Sequence, residues 1–200
     1  MAATKQAKTV KKRRRRSRFN TILIMLAVLI VLVVATVFMR RAYESTAGGR
    51  ENRNAHMTAS AWIVDPTRTR TLMVYHNIYD SWSWTGGHAD GETDLLSVAL
   101  REAREETGIA HVHPVNTEIY SLEILTVDGH EKRGKYVSSH LHLNLTYLLE
   151  ADDSDALMRK EDENSAVAWF SLEEAVRASS EPWFQKRIYP KLNAKLTGIG

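Results

Sequence analysis

The sequence contains no cysteine. That excludes disulfides, thiolate-bound zinc and any cysteine nucleophile, although a chain without cysteine fits either redox compartment. Acidic residues are almost missing from the first quarter. Residues 1–50 carry 12 of the 27 Lys/Arg but only Glu44 of the 24 Asp/Glu, a net charge of +11. The other 150 residues hold 15 basic and 23 acidic side chains, a net charge of −8. The formal +3 of the whole chain therefore belongs to a basic tail, and the remainder is an acidic domain. Such a domain would be repelled by a nucleic-acid backbone, which argues against a nucleic acid polymer as partner. If it handles phosphates, it needs divalent cations between the charges. Internal repeats are also absent.

Charge is missing altogether from FNTILIMLAVLIVLVVATVFM, Phe19 to Met39. Twenty-one residues at a helical rise of about 1.5 Å span roughly 30 Å, the thickness of a bilayer's hydrocarbon core. A cleaved signal has a shorter apolar region, and Ser45-Thr46-Ala47, the nearest cleavage-like triplet, lies beyond Arg40 and Arg41. A buried soluble helix would show more polar positions than Asn20, Thr21 and Thr36. The reading is a basic tail at residues 1–18, a transmembrane helix at 19–39, a polar juxtamembrane linker at 40–55 with Gly48-Gly49, and a folded domain at 56–200. The heavier Lys/Arg content before the span predicts a single-pass membrane protein with its N-terminus in the cytoplasm.

From His56 onward the pattern is mixed α and β. MTASAWIV and TLMVYHNI read as strands around a turn at Asp65-Pro66-Thr67. SWSWT is a short strand running into Gly86-Gly87, and LLSVALREAREET is helical. EIYSLEILTV and SSHLHLNLTYLLEA alternate as strands across a loop, DGHEKRGK. VAWF is another strand, followed by a helix capped by Ser171 with Glu173 and Glu174 in its first turn. A last helix covers roughly Pro182 to Leu196. Strands interleaved with two or three helices predict an α/β/α sandwich around a mixed sheet.

Chemistry concentrates in GGHADGETDLLSVALREAREETGI, Gly86 to Ile109. On its helix Glu102, Glu105 and Glu106 are spaced i, i+3, i+4 and share one face. Leu96, Ala99, Leu100 and Ala103 supply the opposite, buried stripe. Like charges at this spacing cost about 0.2–0.5 kcal/mol per pair, and the helix C-terminus disfavours anions. A cation offsets both, and clustered carboxylate oxygens suit Mg²⁺ or Mn²⁺. Arg101 precedes Glu105 by one turn and can orient it. Gly108 is expected to end the helix in the left-handed conformation. A bare REAREE string can equally be an ordinary solvated helix; the longer pattern decides.

That pattern resembles the Nudix box, G-x5-E-x7-R-E-U-x-E-E-x-G-U with U aliphatic. Gly87, Arg101, Glu102, Ala103, Glu105, Glu106, Gly108 and Ile109 fall in register. The outer glutamate would fall at Thr93, so its role is carried one position back to Glu92. The resemblance covers roughly residues 56–195. It implies a Nudix-type α/β/α fold and hydrolysis of a diphosphate bond in a nucleoside diphosphate linked to some moiety X. Glu102, Glu105 and Glu106 would hold Mg²⁺ or Mn²⁺, and Glu105, Arg101 and a general base would carry the reaction. Glu163, in KEDENSAVAWF, is the base candidate from a later loop; the other reading of that stretch is a solvated turn. Many Nudix proteins dimerise, so a homodimer is one expected state.

Other residues are candidates for substrate contact. Gly87 and His88 lie in the signature loop. Lys132, Arg133 and Lys135 form a basic loop in an acidic domain, suited to a terminal phosphate or to plain solvation. His140 and His142 alternate on a strand and share a side, where they touch substrate or metal, or simply pack. Trp82, Trp84 and Tyr75 can stack on a base or fill the core. The sequon Asn144-Leu145-Thr146 sits in an apolar strand and is discounted. The isomerase branch of the superfamily is expected to use a cysteine, which this chain lacks. A catalytically silent Nudix module that binds a nucleotide-type ligand is the alternative function; metal-dependent turnover discriminates the two.

Overall fold

The computed structural model describes residues 25, 26, 28–34, 36, 37, 49, 52–132, 134–160 and 162–198. The expected basic tail, most of the linker, and Arg133 lie outside these residues, as does part of the expected span. Its described positions, 25, 26, 28–34, 36 and 37, are helical. Their large apolar side chains, from Met25 to Val37, are all exposed. Among the described residues no helix is long and apolar enough to cross a membrane, so the expected transmembrane helix is not shown.

Residues 46–200 form a compact unit of their own. Its central strand is β1 (Ala55–Val64). On one side β1 pairs antiparallel with β2 (Arg70–His76) and β4 (Thr85–His88). On the other it pairs in parallel with β9 (His140–Ala151), from Ala55↔Leu141 to Val64↔Glu150. β3 (Ser81–Ser83) and β10 (Asn164–Ser171) flank β2, while β5 (Val112–Pro114) and β6 (Ser121–Val127) run antiparallel to β9. The sheet is mixed, as the sequence predicts.

Side chains alternate across a strand, so β1 feeds two cores. Ala59, Ala61 and Ile63 pack with Tyr147 and Leu149 of β9 and with Val98, Ala99 and Ala103 of helix α1 (Leu95–Thr107). Trp62 and Val64 face the other way, onto Ala175 of α2 (Leu172–Ala178) and Tyr189 and Leu192 of α3 (Tyr189–Leu196). Both faces of β1 are thus covered at residues 61–64, which explains why that end of the strand reads as a continuous apolar run.

The helix ends follow local chemistry. The Asp94 carboxylate accepts from the Ser97 N–H at 3.2 Å and starts α1. Gly108 stops it at φ 70°, donating to the Arg104 carbonyl at 2.9 Å. Ser171 and Glu174 form a reciprocal capping box at the start of α2. The predicted last helix is interrupted by a π-helical turn at Phe184–Ile188 before α3. One expectation is corrected. The stretch DGHEKRGK is not a plain loop: β7 (His130–Lys132) and β8 (Lys135–Val137) pair as a hairpin separate from the main sheet. Gly134, at φ 71°, makes the tight turn that two such short strands require.

The β1–β2 turn is organised by Asp65, whose side chain is 3% exposed. It accepts from the N–H groups of Thr69 at 2.9 Å and Arg70 at 2.7 Å, and from the Thr67 hydroxyl. Burial alone would raise its pKa, but these bonds, with the charge of Arg70, outweigh it and hold the carboxyl below its ordinary value. A depressed folded-state pKa stabilises the fold above the ordinary carboxylate range and ceases to do so as the pH falls through the folded value. Asp65→Ala is therefore expected to cost about 1–3 kcal/mol at pH 7. In urea titrations the gap from the unsubstituted chain should narrow steadily below about pH 4; a gap independent of pH would refute the assignment.

Candidate active site

The site is built where β4 meets α1. Gly87 lies opposite Ala59 of β1, and that pairing aims its missing side chain at α1. A Cβ there would stand 2.5 Å from the Glu102 carboxyl carbon. Gly86 donates its backbone N–H to Glu106 Oε1 at 3.3 Å. The two glycines therefore let a strand backbone press directly onto a pair of carboxylates.

The three predicted glutamates share a face of α1 but not an environment. Glu106 is buried, the Glu102 side chain is 13% exposed, and that of Glu105 is 48% exposed. Burial pushes Glu106 up to about 8, against the Gly86 N–H and with help from the charges of Glu102 and Glu163. Arg101 divides its guanidinium between Glu102, at 3.0 Å, and Glu105, at 3.9 Å. The closer partner is thus the sequence neighbour rather than the expected Glu105.

Glu163 joins this group. It sits in a turn closed by N–H groups of Glu163 and Asn164 donating to the Lys160 carbonyl, at 3.0 and 2.8 Å. Asn77, just past β2, donates to the Glu163 carbonyl at 3.0 Å and ties the turn to the sheet. Lys160 then reaches Glu163 at 2.9 Å and Glu105 at 3.7 Å. The hydrogen bond to Glu163, with the negative charges of Glu163, Glu102 and Glu105, raises the Lys160 pKa against a desolvation effect. Lys160 is the residue that sequence reasoning missed; its only signal was a cation inside an acidic run.

These donors fit a hard divalent cation. Glu102, Glu105 and Glu106 offer only carboxylate oxygens. Burying Glu106 among acidic neighbours makes its ionised form costly unless positive charge is supplied.

The other predicted residues lie elsewhere. Glu92 turns back on its own loop, accepting from the N–H groups of Thr93 at 2.8 Å and Asp94 at 3.0 Å. It shapes the entry to α1 and makes no described contact with the other carboxylates. His88 follows Gly87 in β4 and so points to the opposite face of the sheet. There it meets His142 and His56, with ring centroids 5.0 and 4.9 Å away. His140 and His142 do share a side, with Nε2 atoms 3.2 Å apart. Burial, then the neighbouring His88, His56, His140 and His130, push His142 down to about 3. Lys132 and Lys135 stand on the β7–β8 hairpin, and Lys135 is exposed. Trp84 is buried against Phe184 and Tyr189, and Trp82 packs between Tyr75 and Phe170. Trp84 belongs to the core and Trp82 packs against it, while Tyr75 is half-buried and donates its hydroxyl to Asp80 at 2.7 Å.

Residues 54–192 match the NUDIX domain. The chain belongs to the Nudix family. Among curated proteins it is similar to the asymmetrical bis(5'-nucleosyl)-tetraphosphatases of Mus musculus and Rattus norvegicus. Identity is 34% and 33% over 96 residues, which is 47% of this chain and 58% of each relative. The match therefore spans little more than half of those enzymes. Among solved structures, the Nudix fold here resembles a C. elegans Ap4A hydrolase binary complex, with TM-score 0.52, 21% identity, and coverage of 71% of this chain and 98% of that one. A Clostridium perfringens hydrolase of the NUDIX family gives TM-score 0.51 and 18% identity, covering 71% and 99%. At these identities the resemblance shows the fold.

The Nudix carboxylates depend on Gly87. In Gly87→Ala the new methyl displaces the Glu102 carboxylate, a flexible side-chain end, so the stability cost is small. The expected outcome is a thermal midpoint within a few degrees of the parent, with divalent-cation affinity reduced about 10-fold or more. Calorimetric titration with Mn²⁺ checks this; unchanged affinity would show that Glu102 does not need the space.

Proposed function

We propose that this chain is a pyrophosphohydrolase that uses Mg²⁺ or Mn²⁺ to cleave a diphosphate bond in a nucleoside diphosphate linked to X. The observation that carries the reading is the convergence of Glu102, Glu105, Glu106 and Glu163 around Arg101 and Lys160 at the β4–α1 junction. The tetraphosphatase names of the mouse and rat relatives support a dinucleoside polyphosphate as the first substrate to try.

In this reading Glu102, Glu105 and Glu106 hold the cation. When bound, it neutralises the diphosphate, polarises a phosphorus and acidifies a water. Glu105 and Glu163 are the more accessible carboxylates, and each can take a proton from attacking water. Arg101 keeps Glu102 and Glu105 oriented through its forked donors. Lys160 stands between Glu105 and Glu163, where its ammonium can turn from carboxylate to phosphate oxygen as negative charge develops.

We propose further that residues 19–39 tether this domain to a membrane, with the N-terminus cytoplasmic. The uncharged run and the exposure of its described apolar side chains support that reading. Full chain that stays with vesicles through an alkaline carbonate wash would support the tether; release into the wash would refute it.

The catalytic reading is tested by purified full chain with and without Glu105→Gln, assayed on a panel of dinucleoside polyphosphates, sugar nucleotides and nucleoside triphosphates. Turnover should vanish in EDTA and fall 10²-fold or more in kcat for the variant. A ligand that raises the thermal midpoint without any turnover would replace the hydrolase with a binding module.

A further inference from the structure

On the sheet face opposite the Nudix carboxylates, three strands bring four imidazoles together. His56 begins β1, His142 lies beside it in the β9 register, and His88 ends β4 across from Thr58. One ring nitrogen from each of His56, His88 and His142 lies within 4.8 Å of the others. His140 completes the group, with its ring centroid 4.8 Å from His56 and 5.0 Å from His142. His56 and His140 are buried.

Hydrogen bonding fixes how two of these rings present themselves. His56 Nδ1 lies 3.1 Å from the Asn52 carbonyl, and His140 Nδ1 lies 2.8 Å from the Ser138 carbonyl. A carbonyl only accepts, so each Nδ1 carries the proton and, in the neutral ring, each Nε2 is left with a lone pair. Metal-ligating histidines are oriented in this way, the far N–H donating to a backbone carbonyl. Next along the same face, Asn144 Oδ1 accepts from Thr58 at 2.9 Å and from Ser60 at 2.8 Å, and its amide donates to Thr146 at 3.2 Å. That network ties β1 to β9 next to the rings, on the same face of the sheet.

We propose that His56, His88 and His142 form a second metal site, selective for a borderline transition ion of the Zn²⁺ type, with His140 at the fourth position. Neutral imidazole favours such ions, whereas Mg²⁺ prefers oxygen, so the two faces of the sheet sort two classes of cation. Tetrahedral ligands about 2.1 Å from zinc stand about 3.4 Å apart, so the rings must draw in by roughly 1 Å. His142 Nε2 faces His140 Nε2 at 3.2 Å, so ligation through it would require the His142 tautomer with its proton on Nδ1. The bound ion would staple β1, β4 and β9. It goes beyond the hydrolase reading and stands without it.

The test uses the full chain in detergent, stripped of metal and titrated with Zn²⁺ against a chromophoric chelator in excess Mg²⁺. One equivalent of Zn²⁺ should bind and raise the thermal midpoint, and Co²⁺ in its place should give visible d–d bands. His56→Ala and His142→Ala should each weaken Zn²⁺ by about 100-fold or more, beyond the usual loss from an outer-shell partner. Because His56 is buried, the half-buried His88→Asn and His142→Gln variants repeat the measurement where folding is least disturbed. Glu105→Gln should leave Zn²⁺ binding unchanged. Absence of Zn²⁺ binding in excess Mg²⁺, binding indifferent to the histidine substitutions, or binding lost with Glu105→Gln would each overturn the proposal.

Discussion

The parallel ladder between β1 and β9 is the constraint on which the rest of the domain depends. It runs the whole length of β1, from Ala55↔Leu141 to Val64↔Glu150. Because side chains alternate with period two, it commits Ala59, Ala61 and Ile63 to the α1 core and Trp62 and Val64 to the α2–α3 core. The antiparallel pairing of β4 on the other edge of β1 inherits the same alternation. Gly87 is thereby set against Glu102 while His88 turns away from it. A slip of one residue would exchange the two faces, turning histidine toward α1 and removing Ala59 and Ala61 from the α1 core.

On the α1 face the structure accepts local costs for the sake of a charged cluster. Three carboxylates on one helical face, one of them buried, are unfavourable by themselves. They are tolerated because a strand N–H from Gly86, the guanidinium of Arg101 and the ammonium of Lys160 are placed against them. Arg101 is a neighbour on the same helix, but Gly86 and Lys160 come from other elements, so the full cluster exists only in the folded domain. Places where local rules are broken and compensated at a distance are the expected mark of a functional site. Family membership at residues 54–192 agrees with the position of this one.

The opposite face solves a different problem. A mixed sheet covered on both sides is expected to be apolar, yet here the first half of β1 and of β9 carries His, Thr, Ser and Asn. The buried hydroxyls of Thr58, Ser60 and Thr146 are joined through Asn144. Such a network rigidifies when its members are satisfied. It borders the four imidazoles on the same face of the sheet.

Local chemistry determined much of this protein from the sequence alone. Helix α1 spans the predicted residues because Asp94 caps it, Gly108 stops it, and an apolar stripe opposes the glutamates. The strands at β1, β2 and β9 and the Ser171 cap followed equally from period and propensity. The three glutamates were readable for the same reason, since their spacing is a property of one helix. Arg101 was readable in the same way, whereas the contacts with Gly86 and Lys160 were decided by tertiary structure. Lys160 approaches Glu105 from 55 positions away in the chain, and no local pattern encodes that distance. Glu92, read as a site residue, is drawn back to the N–H groups of its own loop. His56 joins His142 only through strand register, because pairing between distant strands is set by the burial of whole faces rather than by neighbours in sequence.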